Sequence, residues 1–111
     1  MDFISEIRDF LSQNGIAATE TVNDGFSVFV CGEVNVIPVS VSSASLESAE
    51  EQRVRLSGVV SVLPGKKVLV PEDMWRGRPE MMRPRLLAQL GRFRSVFARN
   101  TVVSRIGKEE A

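Results

Sequence analysis

Residues 26–41 read FSVFVCGEVNVIPVSV, and this run limits the fold more than any other part of the chain. Phe26, Val28 and Val30 alternate with Ser27, Phe29 and Cys31, so a strand here carries apolar side chains on both faces. Cys31-Gly32-Glu33 then turns the chain into a further strand over 34–41. Pro38 within it has no N–H to give, which predicts an edge strand or a bulge. Upstream, Asn23-Asp24-Gly25 is a hairpin signal between strands at 19–22 and 26–31. The three segments form an antiparallel meander.

The meander is flanked by helical patterns. Asp2 is a good N-cap for a helix whose Phe3, Ile4, Ile7, Phe10 and Leu11 fall on one stripe, and Asn14-Gly15 stops it. Ser48 and Glu51 have capping-box spacing for a second helix. Its end has two readings. Gly58 followed by Val59-Val60-Ser61-Val62-Leu63 admits a strand, whereas Ala49, Leu56, Val60 and Leu63 keep helical spacing up to Pro64-Gly65. We take one helix through about residue 62, then a short inner strand at 67–70. Pro79 and Pro84 bracket the start of a third helix, with Met82, Leu86 and Leu90 inward. Pro84 belongs either to its first turn or to a kink. Residues 95–98 read as a strand, and 102–106 as a last extended segment.

The order is helix, three strands, helix, strand, helix, strand. It predicts an α/β domain over residues 1–106, a mixed sheet with helices packed on it, and a frayed tail at 107–111. At 111 residues one domain is expected, since typical domains hold roughly 100–150.

Absent residue types exclude several chemistries. The chain has no histidine and no tyrosine. Triads, Cys-His pairs and imidazole proton shuttles are therefore ruled out. A zinc site would need one thiolate plus carboxylates, so no metal or other cofactor is expected. The lone Cys31 makes no intrachain disulfide. No apolar run approaches the roughly 20 residues of a membrane span, and Met1-Asp2-Phe3 lacks a signal-peptide pattern. The expected location is cytoplasmic, with no membrane partner.

Net charge is zero but unevenly spread. Residues 1–60 hold nine acids and three bases, a balance of −6; residues 74–105 hold eight arginines and one acid, a balance of +7. Arg76, Arg78, Arg83, Arg85, Arg92, Arg94, Arg99 and Arg105 make up this cationic third. Arg78, Arg85 and Arg92 recur every seven residues, a spacing that shares a helix face. The guanidinium fork suits phosphates and carboxylates alike. The set reads either as a surface for nucleic acid or an acidic protein, or as partners for the acidic first half. The second reading extends to a homodimer that pairs acidic with basic patches. Trp75 is likewise either a stacking platform for a base or partner, or a lid on the core edge.

One longer pattern has a family likeness. The stretch KKVLVPEDMWRGRPEMMRPRLLAQLG followed by SVFARNTVVSRI resembles the C-terminal half of small nuclease-like domains related to very-short-patch repair and homing endonucleases. Glu72, Asp73, Trp75, Ala98 and Arg99 carry the match over about residues 48–106. The resemblance implies a restriction-endonuclease-like fold and metal-assisted phosphodiester cleavage. That chemistry needs oxygen ligands on the hairpin, and the equivalent run here offers only Glu33. The expectation is a nuclease-like scaffold without catalysis, acting as a binding module. The alternative is a metal-dependent nuclease or phosphodiesterase using Glu72, Asp73 and Glu33.

Overall fold

The computed structural model describes residues 2–23, 26–40, 49, 52, 53 and 60–97. Helix α1 (Phe3–Gln13) starts where expected: the Asp2 carboxylate accepts the Ser5 N–H at 2.7 Å. It ends at Asn14, whose side-chain amide donates to the Phe10 carbonyl at 2.8 Å, before Gly15 takes φ 72°. Phe3, Ile7 and Leu11 are its buried stripe.

Strands β1 (Thr19–Asn23), β2 (Phe26–Cys31) and β3 (Val34–Val39) form the antiparallel meander. The β2–β3 connection has only Gly32 and Glu33 between the paired Cys31 and Val34. Gly32 has φ 62°, which is the position where a type II′ hairpin turn requires glycine. Strands β4 (Ser61–Leu63) and β5 (Lys67–Pro71) complete a five-stranded sheet of order β1-β2-β3-β5-β4. The β3–β5 pair is parallel and the others are antiparallel, so the sheet is mixed and the fold class is α/β.

The register assigns the faces. Phe29, Val36 and Val68 are neighbours across three strands. With Cys31, Val34 and Val70 they form the core under α1 and the two helices that follow β5. Those helices are α2 (Glu72–Gly77) and α3 (Pro79–Leu90). Val39, Leu63 and Leu69 make a smaller cluster on the other face.

Three expectations change, and one helix is unanticipated. Pro38 lies in the middle strand of the sheet, at neither edge nor bulge. The Asn35 N–H donates to the Lys66 carbonyl, so alternate residues of β3 direct their N–H to β5 and Pro38 directs its nitrogen toward β2. The recorded β2–β3 pairing runs from Cys31–Val34 to Phe29–Val36 and stops before Pro38, which has no N–H to continue the ladder. Residues 61–63 form a strand instead of the end of a helix. Gly65 and Lys66 are both left-handed, φ 83° and 58°, and fold β4 back onto β5. Residues 72–77 are helical, with Glu72 and Asp73 in the first turn, where the helix dipole favours acids. Residues 94–97 are helical, not a strand, and bring Val96 into the core at 3% exposure.

Ala49, Gln52 and Arg53 are helical, as the second helix predicts. The rest of 41–59, and the extended segment expected at 102–106, lie outside the described residues. Met82, Leu86 and Leu90 are fully buried, as their spacing requires. Pro84 sits inside α3 beyond the first turn. It leaves the Glu80 carbonyl without its helical donor, but both residues are exposed and water can serve. Among the described residues no helix is long and apolar enough to cross a membrane.

Candidate binding surface

The arginines divide into two sets. Arg76 is exposed but engaged: it meets Glu6 of α1 at 3.0 Å and Glu72 of its own helix at 3.0 Å. Arg83 lies over the Trp75 ring with its guanidinium carbon 4.9 Å from the centroid. Trp75 itself is fully buried, edge-on to Phe10 with centroids 5.2 Å apart. That corrects its candidacy as a stacking platform, because no base or partner can reach it. Its indole N–H has no hydrogen-bond partner among the described residues.

Arg78, Arg85, Arg92 and Arg94 form the outward set, and all four are exposed. Arg85 lies within α3, Arg78 is its N-cap residue, and Arg92 follows the C-cap Gly91. The seven-residue repeat is therefore carried by the helix and its two flanks. Arg92 donates to the Gln89 side chain at 3.3 Å. Among the described residues Arg78, Arg85 and Arg94 make no ion pair. Arg99 lies outside the described residues.

The carboxylates do not converge. Glu33 sits at the amino end of β3 and is bound by Lys66 at 2.6 Å, a contact that holds its carboxyl below the usual range. Glu72 and Asp73 follow the carboxyl end of β5. The five residues of β5 separate Lys66 from Glu72, six steps or about 20 Å at the usual rise. Among the described residues no three metal-ligating side chains cluster.

A cleft of about 350 Å³ is lined by Asp2, Phe3, Ile4, Ser27, Pro38, Ser40 and Glu72. It lies at the carboxyl end of β3, where ligands commonly bind in α/β sheets. Both of its carboxylates are already engaged. The Ser5 N–H holds the Asp2 carboxyl below its ordinary value, and Glu72 meets Arg76. The sequence reading missed this cleft.

Cys31 is fully buried with its thiol 3.7 Å from the Phe29 carbonyl oxygen. Burial pushes its pKa up to about 11, so it is a protonated core thiol at neutral pH. Compared with protein-family models, curated proteins and solved structures, the chain matches none.

Proposed function

We propose that the protein is a non-catalytic binding module that holds the phosphate backbone of a nucleic acid on the surface bearing Arg78, Arg85 and Arg94. The supporting observation is the division of the arginines. Arg76 and Arg83 are engaged within the fold, while these three are exposed and meet no carboxylate among the described residues. An arginine fork bonds two phosphate oxygens at once. Zero net charge does not oppose the reading locally, because Glu6, Glu20, Glu33 and Glu72 are matched by Arg76, Arg8 and Lys66 elsewhere. The nuclease-like scaffold remains part of the reading: a mixed sheet carrying helices is compatible with it, and separated carboxylates favour binding over cleavage.

Fluorescence anisotropy with short DNA and RNA, titrated with salt, tests the proposal. Binding is expected at low ionic strength, with log K falling against log salt at a slope of about −2 to −3 for three phosphate contacts. The triple variant Arg78→Glu, Arg85→Glu, Arg94→Glu should abolish it. Absence of binding in low salt, or binding indifferent to the triple variant, refutes the proposal. If an acidic protein alone is retained, the surface belongs to protein recognition. Plasmid incubated with Mg²⁺ should stay intact; nicking that Glu72→Ala removes would establish the nuclease alternative instead.

A further inference from the structure

We infer that β1 is a self-association edge, and that two copies of the chain join through it into one continuous antiparallel sheet with the two-fold axis at Thr21. This surface is separate from the arginines and does not depend on their role.

Among the described residues β1 ends the sheet, with β2 on one side only. Its sequence, Thr-Glu-Thr-Val-Asn, carries one of the devices that block edge pairing, the charge of Glu20, and lacks the stronger ones. There is no lysine or proline, and its one-to-one register with β2 has no bulge. Thr19, Glu20, Thr21 and Val22 are all exposed. Val22 is exposed to 75%, and among the described residues it is the large hydrophobic side chain left in solvent.

Backbone alternation fixes which groups are free. The Asn35 N–H faces β5, so Val34 and Val36 face β2, and Phe29 and Cys31 face β3 in turn. Val28 and Val30 then face β1, where they meet Thr21 and Thr19. The outward N–H and C=O groups of β1 are therefore those of Glu20 and Val22. An antiparallel partner must bring its own outward groups against these.

Three two-fold registers can be compared. Centring on Glu20 sets two glutamates face to face. Centring on Val22 gives one hydrogen-bonded pair between the strands. Centring on Thr21 sets each Glu20 against the partner copy's Val22, two pairs that each exchange both bonds, with no like charges opposed.

Side chains agree with the third register. Glu20 is already neutralised by Arg8, whose Nε and Nη2 reach Oε1 at 2.9 and 2.7 Å. Beside it, between α1 and β1, lies a cleft of about 320 Å³ with Leu11, Ile16 and Phe29 among its walls. Glu20 and Val22 share the helix-bearing face of the sheet. Each Val22 therefore comes to rest against Glu20 at the mouth of the other copy's cleft, a self-complementary contact of the kind a two-fold axis demands.

Sedimentation velocity across a concentration series reads the association. The unmodified chain should dimerise reversibly at or below about 1 mM, the weak end of specific affinities. Val22→Pro removes a donor that points away from β2, and Val22→Lys adds a charge at the edge. Both should be monomers with an unchanged circular dichroism spectrum and melting temperature. The axis has its own test. Thr21→Cys places two thiols across a non-hydrogen-bonded pair, with Cα atoms about 4.5 Å apart, within disulfide reach. Mild oxidation should cross-link it, whereas Thr19→Cys, opposite Asn23, should remain uncoupled. A chain monomeric throughout the series, a dimer untouched by both Val22 variants, or a Thr21→Cys chain that does not cross-link overturns the inference.

Discussion

Two neighbouring regions use arginine in opposite ways. Around α2, Arg76 ties α1 to α2 through Glu6 and Glu72, and Arg83 covers the ring of a tryptophan that no solvent reaches. Along α3 and its flanks, Arg78, Arg85 and Arg94 touch no carboxylate among the described residues. The cationic third of the sequence is thus two populations, one that braces the fold and one that leaves charge on the surface. The difference follows from position on the helices. Arg83 lies on the flank of α3 next to buried Met82, within reach of Trp75, while Arg85 points away from the buried Met82, Leu86 and Leu90 row.

The bracing region rests on Trp75, so its truncation is the strongest way to break the contrast. Trp75→Ala removes a fully buried ring and the platform under Arg83. A loss of about 3–5 kcal/mol is expected, within the range for buried aromatics. Urea unfolding followed by circular dichroism measures it, since the variant has lost the only indole. A loss below about 1 kcal/mol would mean that the cluster of Phe10, Trp75 and Arg83 does not brace α2, and the contrast would collapse.

Elements fixed by local chemistry were legible in the sequence, and elements fixed by neighbours were not. The start and stop of α1 follow from Asp2, Asn14 and Gly15, all within a turn of the bonds they make. The inward row of α3 follows from spacing alone. The place of β3 does not. Pro38 stands in the middle of the sheet with its nitrogen on the β2 side, where the recorded ladder stops, and only the register reveals that. Val60 and Leu63 satisfy helical spacing as well as a hairpin, and Gly65 with Lys66 decides for the hairpin. For α2, Pro71 followed by two acids is a helix-start signal that the sequence reading did not use. The arginines were visible as a set, but their division depends on side-chain partners from α1.

Arg76 supplies the intermediate test. Its two ion pairs are partly exposed, with side-chain exposure of 45% for Arg76, 22% for Glu6 and 26% for Glu72. Partly exposed pairs contribute modestly, so Arg76→Ala should lower stability by about 1 kcal/mol. A double-mutant cycle with Glu6→Ala isolates the link between α1 and α2. Coupling of about 0.5–1 kcal/mol is expected, and it should shrink as salt rises. Coupling indistinguishable from zero would place Arg76 with the outward arginines.

The smallest stability effect should belong to the outward set, and that smallness sharpens the contrast. Arg85→Ala removes an exposed side chain that makes no ion pair among the described residues, so its unfolding free energy should change by no more than about 0.5 kcal/mol. Arg78→Ala should behave alike, since its side chain makes no capping bond at the start of α3. The same variants should weaken binding to a short nucleic acid while leaving the unfolding midpoint in place. Retained affinity with lost stability would show that these arginines serve the fold. Lost affinity with retained stability ties charge on this surface to recognition, because the variant leaves the fold's own ion pairs, Glu6–Arg76 and Glu72–Arg76, intact.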